Sequence, residues 1–161
     1  MNKSEMSLGL LLKAVARIDK VLVPWGFRFD VTEHGYSSPG GFARGRYCRG
    51  PTRIRLIYRA NQGFGGVIYE QEIITDHGLF LREQIVYTVG HPSLMLRIGH
   101  ADDCCMIEKG ISSAARDGGD AVGALVHDLR QYAAPMLRTE CPEFQDLIFS
   151  SYSRREVLQR N

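Results

Sequence analysis

The sequence has no long uninterrupted apolar segment. No window of it approaches the roughly 18 apolar residues that a membrane-spanning helix needs. The run LGLLL at 8–12 is followed at once by Lys13 and soon afterwards by Arg17. A secretory signal needs a longer apolar region and a small-residue cleavage site. The sequence therefore predicts neither a membrane span nor a secretory signal.

The cysteines lack the spacing of a disulfide framework. The chain has four cysteines, and two of them, Cys104 and Cys105, are adjacent. The other two, Cys48 and Cys141, lie far from this pair in the sequence. This pattern predicts reduced thiols and a cytoplasmic location.

A large excess of charge of one sign is also absent. The net charge is +2, which is too small to indicate a nucleic-acid or membrane partner unless the charges cluster locally. The 161 residues, 44% of them hydrophobic and 24% charged, are typical of a globular domain that buries a core without disulfides or metal. We therefore predict a single domain spanning residues 1–161.

Familiar catalytic motifs are missing. There is no nucleophile elbow, Walker loop or dinucleotide fingerprint, and the stretch GFGG falls in a predicted hairpin turn rather than before a helix. No spacing gives a histidine a catalytic partner. His91, before Pro92, suits a turn, and His127 suits the wet side of a helix. We predict no catalytic residue, no cofactor and no enzymatic activity; the histidines considered are His77, His91, His100 and His127.

The stretch RIGHADDCC concentrates imidazole, carboxylate and thiol groups. Zinc loops usually supply two cysteines separated by roughly two to four residues, whereas the side chains of Cys104 and Cys105 diverge in any regular structure. Asp102 or Asp103 instead suits the first turn of a helix. We interpret the stretch as a helix start and predict no metal site. A metal-dependent hydrolase centred on His100 and Asp102 is the alternative.

The first half of the chain predicts a helix followed by an antiparallel meander. Apolar residues recur at helical spacing from Ser4 to Val23, and Pro24 ends the pattern. FRFDVTE alternates like a half-buried strand, HGYSSPGG resembles a loop, and VIYEQEII alternates again after a turn in NQGFGG. This order predicts about four antiparallel strands with one buried and one wet face.

The stretch FARGRYCRGPTRIRLIYR predicts a hairpin with one strongly basic face. If Arg49 lies opposite Ile54 across a two-residue turn, alternation puts Ala43, Gly45 and Tyr47 on one face with Ile54, Leu56 and Tyr58. The opposite face then carries five arginines. These arginines are the candidate binding residues: Arg44, Arg46, Arg53, Arg55 and Arg59.

The second half is less sharply patterned. Residues 79–89 fit a strand or one side of a helix, and HPSLMLRIG suggests a short strand. Asp117 or Asp120 can cap a helix reaching Met136, which Pro135 kinks or ends. A final helix through Phe144, Leu147 and Ile148 would fray into a charged tail.

Together these patterns predict an α+β fold. An antiparallel sheet of four or more strands is covered on one face by the N-terminal helix and the C-terminal helices. The expected core residues are Trp25, Phe27, Phe29, Tyr47, Leu56, Tyr58, Leu125 and Leu129.

The basic face admits three interpretations. It can be a solvated surface paired with Glu70 and Glu72, each pair contributing about 0.2–1 kcal/mol. It can bind a protein with an acidic surface, since guanidinium groups suit carboxylates. It can also bind nucleic acid, although Phe42 is the only aromatic residue of the hairpin on that face, because Tyr47 and Tyr58 point inward.

The order of elements resembles a group of small bacterial proteins. A leading helix ends in VLVPWGF, strands follow, and a late helix closes with YAAPML before a last short helix. This arrangement resembles small bacterial α+β domains, some of which are like the immunity proteins encoded beside secreted toxins. The resemblance implies a non-enzymatic, cytoplasmic, protein-binding role, with a nucleic-acid-binding module as the alternative. It carries over no functional residue.

Overall fold

The computed structural model describes residues 2–38, 40–61, 63–76, 78, 81–99, 120–138 and 155–160. Six strands form one antiparallel sheet in simple sequence order, β1-β2-β3-β4-β5-β6. The described helices pack with the apolar side of this sheet into one core. The predicted α+β class is therefore confirmed, and the prediction of a single domain over the whole chain stays a prediction.

Helix α1 spans Lys3–Leu22 and contacts β1, β2 and β3. Its first turn is closed by a capping box, in which the Asn2 side chain accepts from the Glu5 amide and the Glu5 carboxylate accepts from the Asn2 amide. Pro24 lies in a short 3-10 turn, Val23–Trp25, directly after the helix. The predicted amphipathic helix and its end before Pro24 are confirmed.

Strands β1 (Arg28–Ser37), β2 (Gly40–Arg49) and β3 (Thr52–Arg59) form consecutive hairpins. The predicted loop HGYSSPGG is much shorter than expected, since β1 continues to Ser37 and β2 begins at Gly40. The predicted pairing of Arg49 with Ile54 is also wrong. Arg49 pairs with Thr52, because Gly50, with φ +53°, and Pro51 alone make the turn.

Strands β4 (Gly63–Asp76), β5 (Leu81–Gly90) and β6 (Arg155–Arg160) complete the sheet. The ambiguous region 79–89 is thus largely a strand, which hydrogen-bonds to β4 on one side and to β6 on the other. The charged tail was predicted to fray, and this is wrong for Arg155–Arg160, which extends the sheet along β5. The predicted helix through Phe144 lies outside the described residues.

Helix α2 spans His91–Arg97, where a strand was predicted. Gly90 occupies the N-cap position and Pro92 lies in the first turn, where its missing N–H costs no helical hydrogen bond. Leu94 and Met95 are buried, and α2 contacts β4 and β5. The proline that suggested a turn therefore marks the start of a helix.

Helix α3 (Ala121–Asp128) continues through a π-helical turn (Leu129–Ala133) into helix α4 (Ala134–Leu137). Asp120 caps α3 by accepting from the Gly123 amide, as predicted for one of two candidate caps. Pro135 does not end the helical course; the wider π turn precedes it, where a proline removes a regular hydrogen bond.

The core lies between the sheet and the helices. Phe27, Tyr47, Leu56, Leu125 and Leu129 are fully buried, as predicted. The other three predicted core residues are partly buried and pack against the same cluster; they are Trp25, Phe29 and Tyr58. The approach of α1 depends on a glycine, since a Cβ at Gly41 would lie 2.5 Å from the Lys3 carbonyl oxygen.

Two arginines tie the elements together. Arg17 of α1 donates two parallel hydrogen bonds, of 2.7 and 2.6 Å, to the carboxylate of Asp120. This pair lowers the pKa of Asp120 to about 2. Arg49 donates to the backbone carbonyls of Trp25 and Leu137, and its guanidinium lies 4.4 Å from the centre of the Phe27 ring. Both arginines therefore hold the C-terminal helical segment against the first half of the chain.

Candidate functional site

The five predicted arginines lie on one side of β2 and β3, which we call the arginine face. Cross-strand register places Arg46 opposite Arg55, and the inward set of Ala43, Gly45 and Tyr47 belongs to the helix-covered side. The two-residue error in register leaves this sorting intact, because side chains alternate with a period of two. The face carries Arg44, Arg46, Arg53, Arg55 and Arg59.

Two of these arginines pair diagonally with carboxylates of β4. Nε of Arg55 lies 2.8 Å from the carboxylate of Glu70, and Arg53 pairs with Glu72. Glu70 is only 8% exposed, so loss of its cationic neighbour would leave a buried carboxylate without a partner. Pairing with Glu70 and Glu72 is therefore present, as one interpretation of the face expected.

Arg44 is paired on the other side of the hairpin. Its guanidinium lies 2.9 Å from the carboxylate of Glu33 on β1 and 5.1 Å from the centre of the Phe42 ring. Both partners of the Arg44–Glu33 pair are about half exposed, so solvent screens their attraction. This contact orients Arg44 and engages the aromatic side chain of Phe42.

Arg46 has a different environment from its neighbours. Within the described part of the chain, no carboxylate lies within ion-pair distance of Arg46, although Asp30 occupies the opposite position on β1. Its other cross-strand neighbour is Arg55, which carries the same charge. The buried Nε of Arg46 also has no hydrogen-bond acceptor there. Two adjacent guanidinium groups disfavour each other unless an anion lies between them.

A groove of about 470 Å³ runs beside these arginines. It lies where β1 and β2 lose register, at the bulge between Val31 and Glu33. A bulge locally disrupts pairing and bends the strand, which opens the surface there. The groove is lined by Thr32, Glu33, Arg44, Gly45, Arg46, Arg55, Leu56 and Ile57.

A second polar cluster lies inside the core. The hydroxyl of Tyr69 is 2.6 Å from Nδ1 of His91, and Nε2 of His91 is 2.9 Å from the carboxylate of Asp128. All three side chains are fully buried. A proton on Nε2 of His91 satisfies both bonds, since Tyr69 then donates to Nδ1 and Nε2 donates to Asp128. These hydrogen bonds connect β4, α2 and α3.

The interpretation of His91 as a turn residue is therefore wrong. It is the first residue of α2 and lies at the centre of a buried hydrogen-bonded chain. The start signal of Gly90 and Pro92 could have indicated the helix, but no local spacing links His91 to Asp128. By contrast, His127 is half exposed, as expected, and lies 3.4 Å from Asp128.

The described residues do not form the other candidate sites that the sequence suggests. Among them, no three histidine, cysteine, aspartate or glutamate side chains are arranged to hold a metal ion. The stretch from His100 to Cys105, with its metal and hydrolase alternatives, lies outside the described residues, as does His77. Cys48 is a free thiol. No helix in the described ranges is long and apolar enough to cross a membrane.

The function of this chain is inferred from the physical features of its fold and its candidate site. No protein-family model, curated protein or solved structure matches the chain.

Proposed function

We propose that this chain is a non-enzymatic binding domain whose arginine face binds an acidic surface of a protein partner. The observation that carries the proposal is Arg46, a half-buried cation without a carboxylate within ion-pair distance among the described residues. It lines a groove together with Arg44 and Arg55. Guanidinium groups bind carboxylates through paired N–H donors, and arginine is enriched in protein interfaces.

The composition of the face supports an acidic protein over nucleic acid. Glu33, Glu70 and Glu72 lie among the arginines and would repel a continuous row of phosphates. The aromatic residue Phe42 is engaged by Arg44, whereas proteins that bind single strands present rings for base stacking. A protein partner can instead place isolated carboxylates between these glutamates and contact Ile57 in the groove.

A cytoplasmic location is part of the same proposal. The four cysteines lack the spacing of a disulfide framework, and Cys48 is a free thiol. Both features favour a cytoplasmic location. An acidic protein ligand is also compatible with the resemblance to immunity-like bacterial domains. Such proteins act by binding rather than by chemistry, and the buried Tyr69–His91–Asp128 chain is then a structural link rather than a reactive site.

Fluorescence anisotropy with four labelled probes tests the class of partner. The probes are a 12-residue peptide whose glutamates are separated by neutral residues, a matched peptide with lysines in place of the glutamates, a single-stranded RNA and a duplex DNA. Each is titrated with the full chain at low and at physiological salt. We expect saturable binding of the acidic peptide, no binding of the basic peptide, and weaker binding of both nucleic acids.

Two results would overturn the proposal. Failure of the acidic peptide to bind at either salt concentration would remove the assigned role of the face. Tighter binding of RNA or DNA, with affinity falling steeply as salt rises, would assign the face to phosphate contacts instead.

A further inference from the structure

We infer that one carboxylate of the partner, from an aspartate or glutamate side chain, binds between Arg46 and Arg55 and provides most of the recognition. This inference rests on the proposed function and narrows it from a basic surface to one anion site. Most interfaces concentrate their affinity in a few side chains that are shielded from water. The arginine face has one location with the features of such a centre.

The first feature is the repulsion between Arg46 and Arg55. They lie directly opposite each other on β2 and β3, and directly opposed like charges destabilise a sheet. Arg55 is partly neutralised by Glu70 through its Nε, which leaves its terminal nitrogens for another acceptor. A carboxylate between the two guanidinium groups would turn repulsion into two attractive contacts.

The second feature is a pair of unsatisfied donors. The Nε atoms of Arg44 and Arg46 are both buried and have no acceptor among the described residues. Both side chains line the groove beside the β1 bulge. These two Nε atoms are closed to solvent, so a carboxylate in the groove would bind the terminal nitrogens of the same guanidinium groups, through charge-assisted hydrogen bonds.

The third feature is the selectivity that the groove walls impose. Glu33 lines the same groove, so a second negative charge close to the first would be repelled. Ile57 and the backbone at Gly45 provide apolar surface for the methylene groups of an acidic side chain. The site therefore suits an isolated carboxylate on a short aliphatic stem better than a phosphate with two charges.

Side-chain NMR of the full chain tests the site directly. The arginine Nε–H signals are followed while a capped Gly–Glu–Gly peptide, a capped Gly–Gln–Gly peptide or inorganic phosphate is added. We expect saturable shifts at Arg46 and Arg55 with the glutamate peptide, and affinity at least about tenfold lower for the glutamine peptide, the factor for losing one charge-assisted hydrogen bond. Phosphate should bind more weakly than the glutamate peptide.

Two variants separate the site from general charge. Arg46→Met keeps the aliphatic stem and should weaken binding of the glutamate peptide by about tenfold or more. Arg130→Met removes an exposed arginine of the π-helical turn and should change it less than about twofold. Equal affinity for the glutamate and glutamine peptides, or an unchanged affinity of Arg46→Met, would overturn the inference.

The inference can fail while the proposed function holds. If the 12-residue acidic peptide binds wild type and Arg46→Met equally, the face binds acidic protein through dispersed contacts and the single site is wrong. If that peptide does not bind wild type at all, the proposed function itself fails.

Discussion

The hydroxyl of Tyr69 lies 2.6 Å from Nδ1 of His91, in a part of the core that has no exposure to solvent. This contact continues through Nε2 of His91 to Asp128, so three elements far apart in sequence share one buried hydrogen-bonded chain. Buried polar networks stabilise a fold only when every member is satisfied. Variants of this buried hydrogen-bonded chain therefore test the architecture that supports the arginine face.

Replacing Asp128 should destabilise the protein markedly. Asp128→Ala removes the acceptor of the His91 Nε2–H in a fully buried site, and an unsatisfied buried donor costs about 1–3 kcal/mol. Urea unfolding measures the change. His127→Ala is the matched control, because that side chain is half exposed and should stay within about 0.5 kcal/mol of wild type. Similar losses for both variants would contradict the assigned role.

Two arginines of the face should differ in their effect on stability. Arg55→Met leaves the buried Glu70 carboxylate without its 2.8 Å partner and should lower the free energy of unfolding by about 1–3 kcal/mol. Arg46→Met removes a like-charged neighbour and an unsatisfied Nε, so it should leave stability unchanged or raise it by about 0.2–1 kcal/mol. Thermal and urea unfolding compare them. A larger loss for Arg46→Met than for Arg55→Met would show that Arg46 is structurally paired.

Replacement by alanine should change the stability in opposite directions at two glycines. A Cβ at Gly41 would lie 2.5 Å from the Lys3 carbonyl oxygen and 2.7 Å from the Ser7 hydroxyl, so Gly41→Ala should push α1 off the sheet and cost about 1–3 kcal/mol. Gly9 lies within α1, and a Cβ added there would meet no atom within 4 Å. Gly9→Ala should therefore raise the free energy of unfolding by about 0.5–1 kcal/mol through helix propensity. Equal effects in urea unfolding would contradict the close packing of α1 on β2.

Acid should weaken the contact between α1 and the C-terminal helical segment. The Arg17 hydrogen bonds lower the pKa of Asp120 from 3.8 to about 2. A lowered folded-state pKa means that the contribution is complete above the unfolded pKa and is lost as pH falls through the folded value. Wild type should therefore lose more stability between pH 4 and pH 2 than Asp120→Asn. Parallel pH profiles in urea unfolding would contradict this pairing.

The same residues show how far the sequence predicts the fold. Helix α1 and the two faces of β2 and β3 follow from spacing alone, since alternation sorts the arginines from Tyr47 and Leu56 whatever the exact register. Register itself depends on the turn, and the expected two-residue turn, Gly50–Pro51, pairs Arg49 with Thr52 rather than with Ile54. Helix α2 does not follow from the sequence because its 7 residues, about two turns, are too few to show a helical period.

The candidate site was only partly predictable. Which arginines share the face is a local property of the strands, but which of them find carboxylates depends on the register of β1 and β4. The contrast between Arg55, paired with Glu70, and Arg46, opposite Asp30 but unpaired among the described residues, is therefore a property of the assembled sheet rather than of either strand. The link between His91 and Asp128 spans 37 positions and leaves no local signal.

Binding of the 12-residue acidic peptide to two charge-reversed chains shows whether the arginine face is its binding site. Arg46→Glu places a negative charge in the groove, whereas Arg130→Glu makes the same change of net charge at the exposed Arg130 of the π-helical turn. With both variants confirmed folded by their thermal unfolding, we expect Arg46→Glu to lose binding by at least about a hundredfold and Arg130→Glu to change it less than about threefold. Equal losses for the two variants would mean that the peptide responds to overall charge, and the arginine face would not be its binding site.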